Sequence, residues 1–372
     1  MAADAECLTI SIKGIVQGVG FRPFVFNLAR ELKVNGFITN TADGVLIEAE
    51  GGEIGLFLDR LRKESPPLSK ILSVEVAPRQ CFGHEGFSIR ESSANGSFTL
   101  LSPDVSICGD CLEELFDPKD RRHLYPFINC TNCGPRYSIT RSVPYDRPNT
   151  TMDVFAMCPD CDSEYHDPEN RRFHAQPNAC PRCGPRVRLK VMAEGTTVDE
   201  ADAVAGAIAL LRKGQIVAIR GLGGFHLAAD ALNERSVGLL RQRKRRNNKP
   251  FALMAPDVAT VKRFCLVSED EEELLLSRNS PIVLLERRQD APLPGAIAPG
   301  NRRIGFMLPY TPLHHLLFRR PLSDGPAEVP YFDALVMTSG NISEEPIVTS
   351  NEEAAEKLSG IADAFLFHDR DI

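Results

Sequence analysis

A glycine loop, four pairs of cysteines and a basic run are the parts of this chain whose residue types and spacing could do chemistry. Residues 14–22 read GIVQGVGFR. Gly18 and Gly20 can take positive φ, so the backbone N–H groups of Gln17, Gly18, Val19, Gly20 and Phe21 can point into one concavity, an anion nest. A helix expected from Phe21 adds its positive end. Arg22 can hold a phosphate or carboxylate through two parallel hydrogen bonds. The spacing fits neither G-x-G-x-x-G nor G-x-x-x-x-G-K-[ST], so this is not a stock nucleotide loop. Downstream, GFITNTADGV places Asn40 on the strand expected beside the loop.

Eight of the eleven cysteines form four C-x-x-C pairs between residues 108 and 183, leaving Cys7, Cys81 and Cys265 isolated. The segment repeats itself at an offset of fifty residues, CGDCLEELFDPKDRR…CTNCGPR followed by CPDCDSEYHDPENRR…CPRCGPR. Each repeat is C-x2-C-x18-C-x2-C, and four thiolates satisfy a closed, tetrahedral, structural zinc site. The ligand sets are Cys108, Cys111, Cys130 and Cys133, and Cys158, Cys161, Cys180 and Cys183. Pairing between repeats would serve the metals equally well, and spacing does not decide it. A redox role would need a reactive pair at a helix start within a thioredoxin-like unit, a context these pairs lack. Residues 108–190 hold twelve Lys/Arg and twelve Asp/Glu, without the basic excess that nucleic-acid phosphates require.

RQRKRRNNKPFALM carries six basic residues in nine: Arg241, Arg243, Lys244, Arg245, Arg246 and Lys249. Such a run is ordinarily a solvated helix end. Pro250 and an apolar strand directly after it, with the loop TSGN contributing Ser339, Gly340 and Asn341, favour a polyanion site instead. His226 gains weight from its place after Gly223-Gly224, whereas His314 and His315 read as core or surface histidines.

Patterning around these groups divides the chain in three. In residues 1–92, LTISIKG alternates with period two, Val25, Leu28, Ala29 and Leu32 recur at helical steps, and NGFITNTADGVLIEAEG reads as two strands joined at Ala42-Asp43-Gly44. A second helix follows at Ile54–Leu61, and Ile71–Val76 with Phe87–Arg90 supply the closing strand. The order is β-α-β-β-α-β, the ferredoxin-like arrangement. Residues 103–190, rich in Pro, Gly and Cys, form a small zinc-ribbon-type module. Residues 197–372, with an amphipathic Asp199–Lys213 and the strands QIVAIRG, SPIVLLE and DALVMTSGN, form an α/β domain. The fold class is thus a multidomain combination of α+β and α/β. With 43% hydrophobic and 25% charged residues the composition is globular, and the net charge of −7 opposes general attraction to nucleic acid or acidic membranes. No apolar run has membrane-spanning length and MAADAECLTI lacks signal-peptide features, so a cytoplasmic protein is expected.

The pair GIVQGVGFR and GFITNTADGV resembles the acylphosphatase family, which shows G-x-V-Q-G-V-x-F-R followed by G-x-V-x-N-x-x-D-G; Ile38 stands where that family prefers valine. The resemblance covers about ninety residues. It implies that Arg22 binds an acyl phosphate and that the amide of Asn40 positions the attacking water. IRGLGGFHLAADA, the basic run, RIGFMLPYTPLHHLL and TSGN together resemble the YrdC family, which uses ATP to make carbamoyl-type adenylates. Against that family's K-x-R-P-x-x-K-P the run aligns through Arg243/Arg245 or, slipped by one, through Lys244/Arg246, while Lys249, Ser339 and Asn341 transfer in both. RGLGGFHL replaces the family's P-T-x-T-V-Y-G-L, which argues against threonine as a ligand.

In this order the three parts resemble the HypF family of hydrogenase-maturation carbamoyltransferases. That resemblance implies hydrolysis of carbamoyl phosphate at the first site, then conversion of the carbamate to carbamoyl-adenylate at the second with ATP and Mg²⁺. A further domain of the family would pass the carbamoyl group to a cysteine of a HypE-like acceptor. The abrupt FLFHDRDI fits a piece of such a longer enzyme. The alternative is an RNA-associated YrdC/zinc-ribbon protein acting in tRNA modification, which gains from RQRKRR and loses on the net charge.

Overall fold

The computed structural model describes residues 7–92, 100–192, 197–198, 200–322, 329–342 and 345–372. The chain forms two compact units, residues 1–105 with 129–184 and residues 106–128 with 185–372. No helix among the described residues is long and apolar enough to cross a membrane.

In the first unit β1 (Cys7–Ile15) runs into α1 (Phe21–Glu31), followed by β2 (Asn35–Thr41), β3 (Gly44–Glu50), α2 (Ile54–Lys63), β4 (Lys70–Pro78) and β5 (Phe87–Ile89). The period-two pattern of β1 buries Leu8, Ile10 and Ile12, and the helical spacing of α1 buries Phe21, Val25, Leu28 and Ala29. With Ile38, Ile47, Phe57 and Leu61 these residues make one core. The β2–β3 hairpin closes with Thr41 opposite Gly44, as Asp-Gly predicts. Strand order is β4-β1-β3-β2-β5.

The expected single closing strand is in fact two, on opposite edges of the sheet. β4 pairs with β1, and β5 runs parallel to β2. Glu50 is the physical reason. Its buried carboxylate accepts the N–H groups of Phe82, Gly83 and His84 at 2.7, 2.9 and 2.9 Å and faces Arg79 at 3.1 Å, which draws the intervening chain across the sheet end. Burial alone would raise this carboxyl; the Phe82 and His84 amides with Arg79 outweigh it and hold it at about 2. At the same end Cys7 and Cys81, isolated in sequence, form a disulfide.

Each cysteine repeat begins on a short helix, Cys108 preceding α3 (Gly109–Phe116) and Cys158 preceding α4 (Pro159–His166). Cys158 and Cys180 Sγ lie 3.7 Å apart, Cys180 and Cys183 3.8 Å, and Cys161 and Cys183 3.6 Å. A tetrahedral zinc with Zn–S of about 2.3 Å sets its sulfurs about 3.8 Å apart, so the donor set fits that ion. All four Sγ atoms of Cys158, Cys161, Cys180 and Cys183 lie within 4.8 Å of one another, so in the second repeat the ligands pair within the repeat, which spacing left open.

The second unit is organised on a ten-stranded sheet among the described residues. Its strands are β6 (Val187–Val191), β7 (Thr197–Val198), β8 (Val217–Arg220), β9 (Phe225–Asp230), β10 (Ala252–Met254), β11 (Cys265–Leu266), β12 (Val283–Arg287), β13 (Arg303–Met307), β14 (Leu335–Ser339) and β15 (Ala364–His368), in the order β11-β12-β13-β10-β14-β9-β8-β15-β6-β7. The helices are α5 (Glu200–Arg212), α6 (Glu234–Arg243), α7 (Val258–Phe264), α8 (Glu269–Leu276), α9 (Pro312–Arg319) and α10 (Asn351–Lys357); Asp199, expected to start α5, lies outside the described residues. β8 is buried along its whole length, apolar through Val217–Ile219 as in a central strand and ending on Arg220, which donates to the His368 carbonyl at 2.9 Å.

Glu50 carries a pH signature. Because its carboxyl is depressed, its stabilisation is fully present above the ordinary value of 4.5 and is lost as pH falls toward about 2. Thermal unfolding of Glu50→Gln should show a loss of about 1–3 kcal/mol at neutral pH that shrinks as the medium is acidified through that window; a constant difference rejects the charge-based account. For the cysteine clusters, Cys161→Ser should lower bound zinc from about two to about one per chain by elemental analysis, and loss of both ions would contradict independent sites.

Candidate active sites

At the end of β1 the chain turns with φ of 71° at Gly18 and 78° at Gly20, conformations glycine adopts at little cost. No side chain caps the start of α1. Its first N–H groups have no acceptor inside the helix and lie at the helix's positive end, while Gln17 is bridged through its backbone to Leu101. Val19 and Phe21 are core residues; they anchor the loop and offer only backbone. Gln17 sets its height, Nε2 donating to the carbonyls of Thr41 and Gly44 at 2.7 and 2.8 Å.

Asn40 on β2 is buried beside Arg22, which is 8% exposed. With its oxygen turned to the guanidinium, the Asn40 amide accepts from Nη1 and Nη2 at 3.3 Å. In the reverse orientation it donates to the Tyr145 carbonyl at 3.4 Å. The network favours the first, because a guanidinium has no acceptor to offer an amide N–H.

No local spacing in the sequence announced the other side of this site. The Tyr145 N–H donates to Gln17 Oε1 at 2.9 Å, and the Tyr145 carbonyl lies 3.4 Å from Arg22 Nη2. Asp146 pairs with the same Nη2 at 2.7 Å. Arg136 donates through Nε to the Gly18 carbonyl. Between Tyr145, Arg136 and the loop is a cavity of about 20 Å³, room for little more than one water. Beyond Arg22 and Asp146 lies a second pocket of about 560 Å³, bordered also by Arg90, Arg147, Tyr165 and His174. Burial, reinforced by Arg22, pushes His174 down to about 3, so its ring is neutral at pH 7.

In the second unit the β9–β14 ladder sets His226 opposite Ser339. Lys244, just past α6, donates to the carbonyls of Ser339 and Asn341 at 2.6 Å each and to Asn341 Oδ1 at 2.7 Å. Ser339 Oγ donates to that same oxygen at 2.8 Å. A Cβ on Gly340 would stand 2.6 Å from the Phe225 carbonyl, which excludes any side chain there. Burial, with Arg246 and Lys249 nearby, lowers Lys244 to about 8. Arg246 donates to Thr338 Oγ1 at 3.1 Å.

Other members of the basic run are turned elsewhere. Arg243 pairs with Asp363 at 2.8 Å, and Arg241 donates to the carbonyls of Ala296 and Asn247 at 2.8 and 2.7 Å. Arg245 and Lys249 are exposed. Most of the run is thus internal bracing, neither a solvated helix end nor a nucleic-acid stripe. His226, pushed down to about 4 by burial, stacks on His314 with ring centres 6.2 Å apart. That partner was invisible in the sequence, where His314 read as a core or surface residue.

Comparison with known proteins agrees with this division. Residues 8–89 match the acylphosphatase family model, residues 107–140 and 157–190 the HypF finger model, and residues 209–372 the model described as telomere recombination. The carbamoyltransferase HypF2 of Cupriavidus necator is 50% identical over 98% of this chain and 46% of its own length. An acylphosphatase of Thermotoga petrophila is 42% identical over 23% of this chain and 97% of its own. A crystal structure of full-length HypF in the phosphate- and nucleotide-bound form superposes with a TM-score of 0.92 at 49% identity, covering 100% of this chain and 48% of that one. The chain spans about half the length of the curated carbamoyltransferases it matches. Over nearly all of its own length, by sequence and by fold, the chain thus matches about half of the HypF carbamoyltransferases, and residues 8–89 belong to the acylphosphatase family.

Proposed function

We propose that the first unit splits carbamoyl phosphate and that the second uses ATP to activate the carbamate released, as steps of carbamoyl transfer in [NiFe]-hydrogenase maturation in the cytoplasm. One observation carries the reading: Arg22 and Asn40, 3.3 Å apart, converge on the uncapped start of α1. A phosphoryl group on the loop amides and Arg22 would have its charge neutralised before reaction. Water held by the Asn40 amide attacks phosphorus, the bond from phosphorus to the carbamoyl oxygen breaks, and phosphate and carbamate leave. Positioning and charge stabilisation dominate such chemistry, so no strong side-chain base is required.

In the second unit Lys244, Arg246, Ser339, Asn341 and His226 would orient ATP and carbamate, with exposed Lys249 and Arg245 available to the triphosphate. A carbamate oxygen attacks the α-phosphorus and pyrophosphate departs, giving carbamoyl-adenylate; Mg²⁺ is expected on the triphosphate. The acceptor is the cysteine of a HypE-like protein. Support for an oxyanion site and a nucleotide site comes from the relative whose crystal form held both phosphate and nucleotide.

Exchange of labelled pyrophosphate into ATP should depend on carbamoyl phosphate. Arg22→Ala should lower phosphate release by about 10²–10³ and abolish that exchange; exchange that still responds to carbamoyl phosphate in the variant overturns the two-site scheme. Lys244→Ala should cut exchange by a similar factor and leave phosphate release within about twofold. Because burial holds the Lys244 ammonium at about 8, exchange should weaken as pH rises through that value, and a flat profile to pH 9.5 removes Lys244 from the site.

A further inference from the structure

The first unit contains more than the loop, the arginine and the asparagine of a phosphatase site. The segment Pro144–Arg147 brings two hydrogen-bond acceptors, the Tyr145 carbonyl and the Asp146 carboxylate, against Arg22. Both fall on Nη2 of Arg22, and Asn40 takes Nη1 and Nη2, which leaves the Nε–H of the five-donor fork for a phosphoryl group.

The acceptors are rigidly presented. Tyr145 N–H is tied to Gln17 Oε1 at 2.9 Å. Ser92 Oγ donates to the second Asp146 oxygen. Arg147, the next residue, donates to the carbonyls of Gln176 and Asn178 at 2.6 and 2.9 Å and takes its own N–H to Gln176 Oε1 at 2.7 Å. Carbamoyl and acetyl phosphate differ by one group, an amino with two N–H donors against a methyl with none. Their shapes are nearly the same, so a cavity alone distinguishes them poorly. Acceptors fixed in place do so strongly, because the methyl leaves them unpaired.

The geometry points to Asp146, with the Tyr145 carbonyl, as the specificity element that reads the amino group of carbamoyl phosphate. This rests on the functional reading above. The two N–H groups of the substrate would meet the two acceptors while its phosphoryl end takes the N–H groups at the start of α1 and the Nε–H of Arg22.

The test is kcat/KM for phosphate release from carbamoyl phosphate and from acetyl phosphate, measured on the chain and on Asp146→Ala. The unaltered chain should prefer carbamoyl phosphate by about 10² or more, and the substitution should cut that ratio at least tenfold through loss on carbamoyl phosphate. Equal change on both substrates overturns the proposal, leaving Asp146 only as the counter-ion of Arg22. If Asp146→Ala does not fold, as judged by zinc content and thermal unfolding, Asp146→Asn keeps the volume and one acceptor and should give an intermediate ratio; an unchanged ratio in that variant also overturns it. Should the unaltered chain split acetyl phosphate alone, the functional reading itself is wrong, a result distinct from loss of discrimination in the variants.

Discussion

The N–H groups at the start of α1 cannot be satisfied inside their own helix, and the first unit is built around that fact. Gly18 and Gly20 bend the chain so that the loop amides join them. Gln17 grips the β2–β3 hairpin with its amide nitrogen and Tyr145 with its amide oxygen. Arg22 adds a full positive charge to the partial ones. The groups set against Arg22, Asn40 through its oxygen, the Tyr145 carbonyl and Asp146, are acceptors or anions. A cluster of donors selects its neighbours by electrostatics, and those neighbours define what the site can hold.

Zinc enters this arrangement at one remove. In the second finger repeat the small core around α4 consists of Cys158, Cys161 and Cys180 with Met157 and Cys183 packed against them. Such a segment buries too little hydrocarbon to offset its conformational entropy, and metal ligation supplies the order. Gln176 and Asn178 precede the third ligand of the second repeat, and they hold Arg147. Arg147 is covalently next to Asp146, which meets Arg22. The second repeat is therefore joined to Arg22 by a short series of directed bonds within one unit.

Much of this was legible in the residues. Period-two and helical patterns located β1, α1, the hairpin and α2, because each buries one face against a common core. The cysteine spacing announced metal chemistry and could not announce the pairing, since four thiolates satisfy an ion whichever repeat they come from. The division of the closing strand into β4 and β5 was hidden, because it depends on one carboxylate, Glu50, capturing amides more than thirty positions away. Tyr145 and Asp146 were hidden for the same reason: residues over a hundred positions from Arg22 leave no periodicity at its position. In the basic run, composition showed charge but not the internal carbonyls that accept it from Arg241 and Lys244.

Glu50 also has a bearing on the loop at Gly18. The chain from Phe82 to His84 wraps three successive N–H groups around that carboxylate, the same device as the turn into α1 at the opposite function. One copy is answered from within the polypeptide when the sheet forms, and so becomes architecture. In the proposed reading the other would take its oxyanion from solution, and so become a receptor. A single backbone motif, used twice in one small fold, is either a rivet or a socket according to whether the chain itself supplies the acid.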